Sequence, residues 1–364
     1  MENKIAEDLS FKNGLAFAQE MDAQDPLASY RERFYLPFQK NGDPYIYLCG
    51  NSLGLQPKSV RAFVEQELLD WEKLGVEGHF HAKNPWMPYH EFLTEAMAML
   101  VGAKPQEVVV MNTLSVNLHL MMVSFYRPQS DRYKILIESD AFPSDKYAVE
   151  SQVKFHGYDP EDAIILLSPR EGEEIIREED IKSLIEKEGK QIALIMLGGV
   201  NYYTGQFFNL KKITEWGHAQ GCAVGFDLAH AAGNIELKLH DSGADFAVWC
   251  TYKYLNSGPG SLGGCFVHEK HAHNFELPRF AGWWGHNKET RFKMRDGFDP
   301  MPGAEGWQLS NPPILPLAAM RASLELFSEV GMERLNVKTR SLTCLLYTSP
   351  SPRDATLSRM PSSA

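Results

Sequence analysis

Lys253 follows an apolar run of strand length and precedes a glycine-rich turn, in TYKYLNSGPGSLGG, while Asp227 and His230 close a similar run in GFDLAH. In open α/β sheets ligands bind outside the carboxyl ends of the strands, so both groups can face one crevice. That combination suits pyridoxal 5′-phosphate (PLP). A lysine amine condenses with the cofactor aldehyde as a Schiff base. A carboxylate facing the pyridine nitrogen keeps it protonated, because adjacent negative charge favours the cationic form, and the protonated ring is an electron sink for a carbanion at the substrate α-carbon. Taken alone, a strand-end aspartate capping a helix and a solvated lysine have the same spacing. The segment NTLSVNLHL adds weight: it places Thr113 and Ser115 at a helix start, where free N–H groups and hydroxyls hold phosphate, as well as where an ordinary N-cap would fall.

Two other motifs lack their context. Residues 258–263, GPGSLG, spell GxGxxG but run into the strand-like GCFVH instead of a helix, and Pro259 occupies the turn. HEKHAH (residues 268–273) misses HExxH because position 272 is alanine. Neither it nor His79 and His81 has the four-ligand spacing of a metal site, so no metal is expected.

Such a crevice needs strands and helices in alternation. Strand-length apolar runs occur at residues 107–111, 134–138, 193–197, 223–226, 246–251 and 264–267. Helical spacing occurs at 60–74, 93–101, 116–125, 179–188 and 210–220. Continuous runs such as ALIML predict strands buried on both faces, as in a mostly parallel sheet flanked by helices. The first fifty residues read as an irregular N-terminal segment, 51–315 as a large domain, and 316–343 as the start of a small C-terminal domain. Residues 344–364, rich in Ser, Pro and Arg without helix or strand period, read as a non-native or disordered tail. Helix 316–329 is expected to leave the large domain and, without a partner domain, to expose Leu317, Met320, Leu324 and Leu326.

The 44% hydrophobic and 23% charged composition fits a globular chain. A net charge of −11 argues against a nucleic-acid or anionic-membrane surface. No secretory signal or spanning run is legible. Five scattered cysteines without a CxxC pair read as free thiols in a reducing, cytoplasmic compartment.

From about residue 45 to 342 the chain resembles the kynureninases. The resemblance rests on GNSLGLQPK, GHFHAKNPW, MNTLSVNLHL, AFPSDKYAVESQ, PREGEE, YYTGQFFN, GFDLAHAAGN, YKYLNSGPG, HEKHAH, GWWGH, TRFKM and LSNPPIL, in order. It implies the aspartate-aminotransferase type of PLP fold and a homodimer with shared active sites. It also implies hydrolysis of L-kynurenine or 3-hydroxykynurenine to the anthranilate and L-alanine, within tryptophan catabolism and NAD precursor synthesis.

By that resemblance Lys253 carries the cofactor, Asp227 meets the pyridine nitrogen, and Phe142 stacks on the ring. Pro143, Ser144, Asp145 and His230 line the same pocket. Leu114, Ser115 and Tyr252 resemble phosphate contacts, and Tyr252 is also a proton donor candidate. Trp283 and Asn311 resemble residues reaching across from the partner subunit; Ser52, His79 and Asn311 resemble substrate contacts. Gly198 departs from relatives with serine there, and nothing matches the arginine that clamps the substrate carboxylate, so impaired turnover is expected. The alternatives are a cysteine desulfurase or other class V aminotransferase, for which Cys265 is the nearest nucleophile, and a non-catalytic fragment.

Overall fold

The computed structural model describes residue 12 and residues 14–348. Seven strands form one sheet: β1 (Val108–Met111), β2 (Lys134–Glu138), β3 (Ile164–Leu167), β4 (Ile192–Gly198), β5 (Ala223–Asp227), β6 (Phe246–Cys250) and β7 (Gly263–Val267), in spatial order β1-β7-β6-β5-β4-β2-β3. β7 runs antiparallel to both its neighbours and the other pairings are parallel. The parallel strands end on one side, with Gly198 of β4 opposite Asp227 of β5.

Apart from short helical pieces, the helices are α1 (Leu15–Gln24), α2 (Val60–Leu74), α3 (Glu91–Val101), α4 (Leu114–Phe125), α5 (Pro143–Phe155), α6 (Glu178–Glu188), α7 (Leu210–Ala219), α8 (Ile314–Val330) and α9 (Met332–Thr348). Successive strand residues point to opposite faces, and they divide between two cores. Leu136, Ile195, Val224 and Trp249 join one core, Ile137, Met196 and Val248 the other. This explains why the central runs are apolar without alternation. No helix among the described residues is long and apolar enough to cross a membrane.

Three expectations are corrected. β3 had no counterpart in the sequence reading: IILL is short and lies at the sheet edge, with Leu166 exposed. α8 does not present a bare apolar face. Leu317, Met320, Leu324 and Leu326 are all buried, because α8 packs against α2 and α3, with Ser323 Oγ donating to the carbonyl of Leu255. α9 continues past Cys344 to Thr348, since a helix already nucleated extends at little cost per residue. The rest of the 344–364 tail, from residue 349, lies outside the described residues.

Candidate active site

Lys253 stands three residues beyond the end of β6, on a segment pinned from both sides. Thr251 Oγ1 donates to the Leu262 carbonyl at 2.5 Å, and the Gly54 N–H donates to the Tyr252 carbonyl at 2.8 Å. The half-buried ammonium lies 2.9 Å from His230 Nε2 and 5.7 Å from the centre of the Phe142 ring. Burial, then the Lys253 charge, lowers the His230 pKa to about 4, so the imidazole is neutral and accepts the lysine proton. Its Nδ1 lies 3.4 Å from the Tyr254 hydroxyl.

Three carboxyl groups close the back of the pocket. Asp227 ends β5, is 8% exposed and accepts the Ala229 N–H at 2.6 Å. Asp145, in the first turn of α5, hydrogen-bonds to Asp227. Burial pushes both carboxyls up; the Asp227 charge lifts Asp145 further, so Asp145 holds the proton and donates. Glu138, at the end of β2, is 2% exposed and is likewise raised by burial.

The front is built from two helix starts. α4 follows Thr113 and α5 follows Phe142, and neither N-cap makes a side-chain cap bond. At α5 Pro143 has no N–H and the Asp145 N–H already donates to the Phe142 carbonyl at 3.0 Å, so the amides that face an anion are those of Leu114, Ser115 and Ser144. Ser115 and Ser144 sit there with hydroxyls 3.0 Å apart. Tyr252 borders the same space. Burial and then Cys250 push its phenol up to about 12, so it keeps its proton.

Leu114, Ser115, Phe142, Ser144, Asp145, Asp227, His230, Tyr252 and Lys253 therefore line one pocket, together with Gly198. These residues fit PLP: an amine for the aldehyde, an aromatic face, a buried carboxylate pair, and hydroxyls with uncapped helix starts for phosphate. Pro143 begins α5 beside the pocket without lining it. Ser52 and Asn311 are exposed and outside it, as is Trp283, which meets Phe292 edge-on. His79 is also outside, with Nδ1 2.9 Å from the Val76 carbonyl and its ring edge-on to Trp86.

The pocket also holds Glu138, Asn201 and Tyr202, none of which the sequence reading singled out. A signal existed for Glu138, the charged residue closing the KILIE run at its carboxyl end after three apolar residues. Cys265 is fully buried within β7, and burial holds its thiol strongly protonated, which does not suit a nucleophile on a mobile loop. His268 gathers with His240 near buried Glu107, whose oxygens already accept from His240 Nδ1 and the amides of Glu269 and Lys104.

The fold and this pocket define the class. The aminotransferase class-V family matches residues 46–356. Solved structures with the same fold include the cysteine desulfurase CsdA from Escherichia coli (TM-score 0.67, 17% identity, 91% of this chain and 78% of that one). Another is a C-DES variant with glycine covalently linked to its PLP cofactor (TM-score 0.67, 16% identity, 80% and 73%). The particular family follows from closer relatives. Kynureninase of Koribacter versatilis is 64% identical over 327 residues, 90% of this chain and 77% of that one. Kynureninase of Myxococcus xanthus is 62% identical over 333 residues, covering 92% and 78%. The chain belongs to the kynureninases.

Proposed function

We propose that this chain uses PLP to hydrolyse the Cβ–Cγ bond of L-kynurenine or 3-hydroxykynurenine, giving anthranilate or 3-hydroxyanthranilate and L-alanine. The observation that carries the reading is the single pocket in which Lys253, His230, Phe142 and the Asp145–Asp227 pair meet, in a chain so similar to kynureninases. When bound, PLP supplies the electron sink for charge developing beside the substrate α-carbon.

The chain's own residues do the rest. Lys253 would anchor the cofactor through its amine, and the same amine, when free, would take the α-proton. Asp227 holds the proton on the pyridine nitrogen, and Asp145 fixes Asp227 by donating to it. Phe142 covers one face of the ring. The backbone amides of Leu114, Ser115 and Ser144, with the two serine hydroxyls, hold the phosphate. Water adds to the side-chain carbonyl carbon, and as the Cβ–Cγ bond breaks to release the anthranilate, Tyr252, protonated at neutral pH, donates to Cβ.

Trp283, Asn311, Ser52 and His79 are exposed or half-exposed and outside this pocket, which fits a homodimer in which they complete the partner's site. Cys49, Cys222, Cys250 and Cys265 are free thiols, in keeping with a cytoplasmic location. The test is turnover of kynurenine by the PLP-loaded chain, followed through anthranilate formation; a loaded chain that releases no anthranilate refutes the reading.

A further inference from the structure

Glu138 is a buried carboxyl group to which the reaction above assigns no part. Its Oε1 accepts the Gly198 N–H at 2.6 Å and its Oε2 accepts Asn201 Nδ2 at 2.8 Å. A β-carbon on Gly198 would stand 3.0 Å from that Oε1, so the glycine leaves the room the carboxylate occupies. Asn201 cannot turn its amide round. Its Oδ1 accepts the amides of Tyr203 at 2.9 Å and Thr204 at 3.0 Å, which commits Nδ2 to donating and Glu138 to accepting. The same turn is closed by Gly205 N–H to the Asn201 carbonyl and Asn201 N–H to the Gln206 carbonyl. It carries Tyr202, whose ring meets Phe142 edge-on, with centroids 5.3 Å apart at 90°, and lies 6.4 Å from His230.

We propose that Glu138 is a positioning residue of the site: through Asn201 it clamps the 198–204 turn and so holds Tyr202 against Phe142 at the pocket wall. The proposal rests on the reading of this pocket as the PLP and kynurenine site. Without the carboxylate the turn keeps only the long 3.4 Å contact of Asn201 Nδ2 with the Asp140 carbonyl on that side, and Tyr202 no longer braces Phe142. Substrate and cofactor then meet a looser wall, while Lys253, Asp227 and Asp145 keep their places.

The donor–acceptor polarity supplies the test. Glu138→Gln sets its amide nitrogen against Asn201 Nδ2 or, flipped, against the Gly198 N–H, and Asn201→Asp sets a carboxylate against Glu138. The double variant restores a matched pair with the donor and acceptor exchanged. Each single variant is expected to raise the KM for kynurenine about tenfold and to lower kcat less than about threefold, the loss of one buried polar contact. The double variant is expected to return KM to within about threefold of the parent, a coupling that independent sites do not show.

Hydrogen exchange of the Gly198, Tyr203 and Thr204 amides, measured without cofactor, should lose protection in each single variant and regain it in the double. Unchanged protection and unchanged KM in Glu138→Gln overturn the clamp. So does a double variant that regains protection while KM stays high, because the carboxylate would then act in some other way. Because exchange needs neither PLP nor substrate, its loss in a chain that turns over no kynurenine would sink the proposed reaction and leave the clamp standing.

Discussion

A β-carbon on Gly54 would come within 2.3 Å of the carbonyl oxygen of Lys253, and within 2.8 Å of the Asn256 Cα. The loop bearing Gly54 is thus pressed against the lysine segment, with its N–H hydrogen-bonded to the neighbouring Tyr252 carbonyl. Only a residue without a side chain permits this approach. Gly54→Ala should force the lysine segment and the Gly54 loop apart, at an overpacking cost of about 1–3 kcal/mol. PLP affinity, read by titrating the absorbance of the bound cofactor, is expected to fall about tenfold. An alanine variant with parental affinity would mean that the loop and lysine move apart freely.

Much of this site was legible in the residue order. The strand-length apolar runs predicted six of the seven strands, and GFDLAH and YKYLN delivered Asp227, His230 and Lys253 to strand ends that are neighbours in the sheet. What remained hidden depends on distant partners. Glu138 is buried because Gly198 and Asn201, about sixty residues later in the chain, donate to it. The whole of α5 has no counterpart among the helical stretches because PSDKYAVESQVKF mixes polar and apolar residues without a clear stripe. α8 seemed destined for solvent because nothing local in its sequence says that α2 and α3 cover it.

The buried carboxyl pair predicts different consequences for its two members. Asp145 is the proton-holding donor, so Asp145→Asn, which keeps an N–H donor toward Asp227, should retain kcat within about fivefold, the worth of one neutral hydrogen bond. Asp227→Asn removes the charge facing the pyridine nitrogen and should lower kcat by about a hundredfold or more. Steady-state rates on kynurenine decide between them. The reverse ranking would assign the ring contact to Asp145.

His230 predicts a pH dependence of the cofactor-free protein. Its pKa falls from 6.5 to about 4 on folding, so between those values the unfolded chain binds more protons than the folded one. Stability should therefore be present above pH 6.5 and decline as the pH drops toward 4. Urea unfolding at several pH values, with His230→Gln alongside, reads it out. The glutamine variant should show a flatter profile over that window, and equal slopes for the two proteins would remove His230 as the cause.

Leu324 reports on the packing of α8. It is 2% exposed within the core shared with α3. Leu324→Ala should cost about 2–5 kcal/mol in unfolding free energy, the range for truncating a buried leucine. A cost under about 0.5 kcal/mol, usual for surface positions, would indicate that the helix stands free of the sheet domain.

The central claim is that Lys253 anchors PLP for kynurenine hydrolysis, and one pair of spectra with one rate tests it. The parent chain and Lys253→Ala are stripped of cofactor, reconstituted with PLP, freed of excess by dialysis, and given kynurenine while absorbance is followed. The parent is expected to keep the visible band of a lysine-bound cofactor and to release anthranilate. The variant, lacking the amine that His230 faces at 2.9 Å, should show neither. A Lys253→Ala protein that retains the band and still forms anthranilate would contradict the assignment outright.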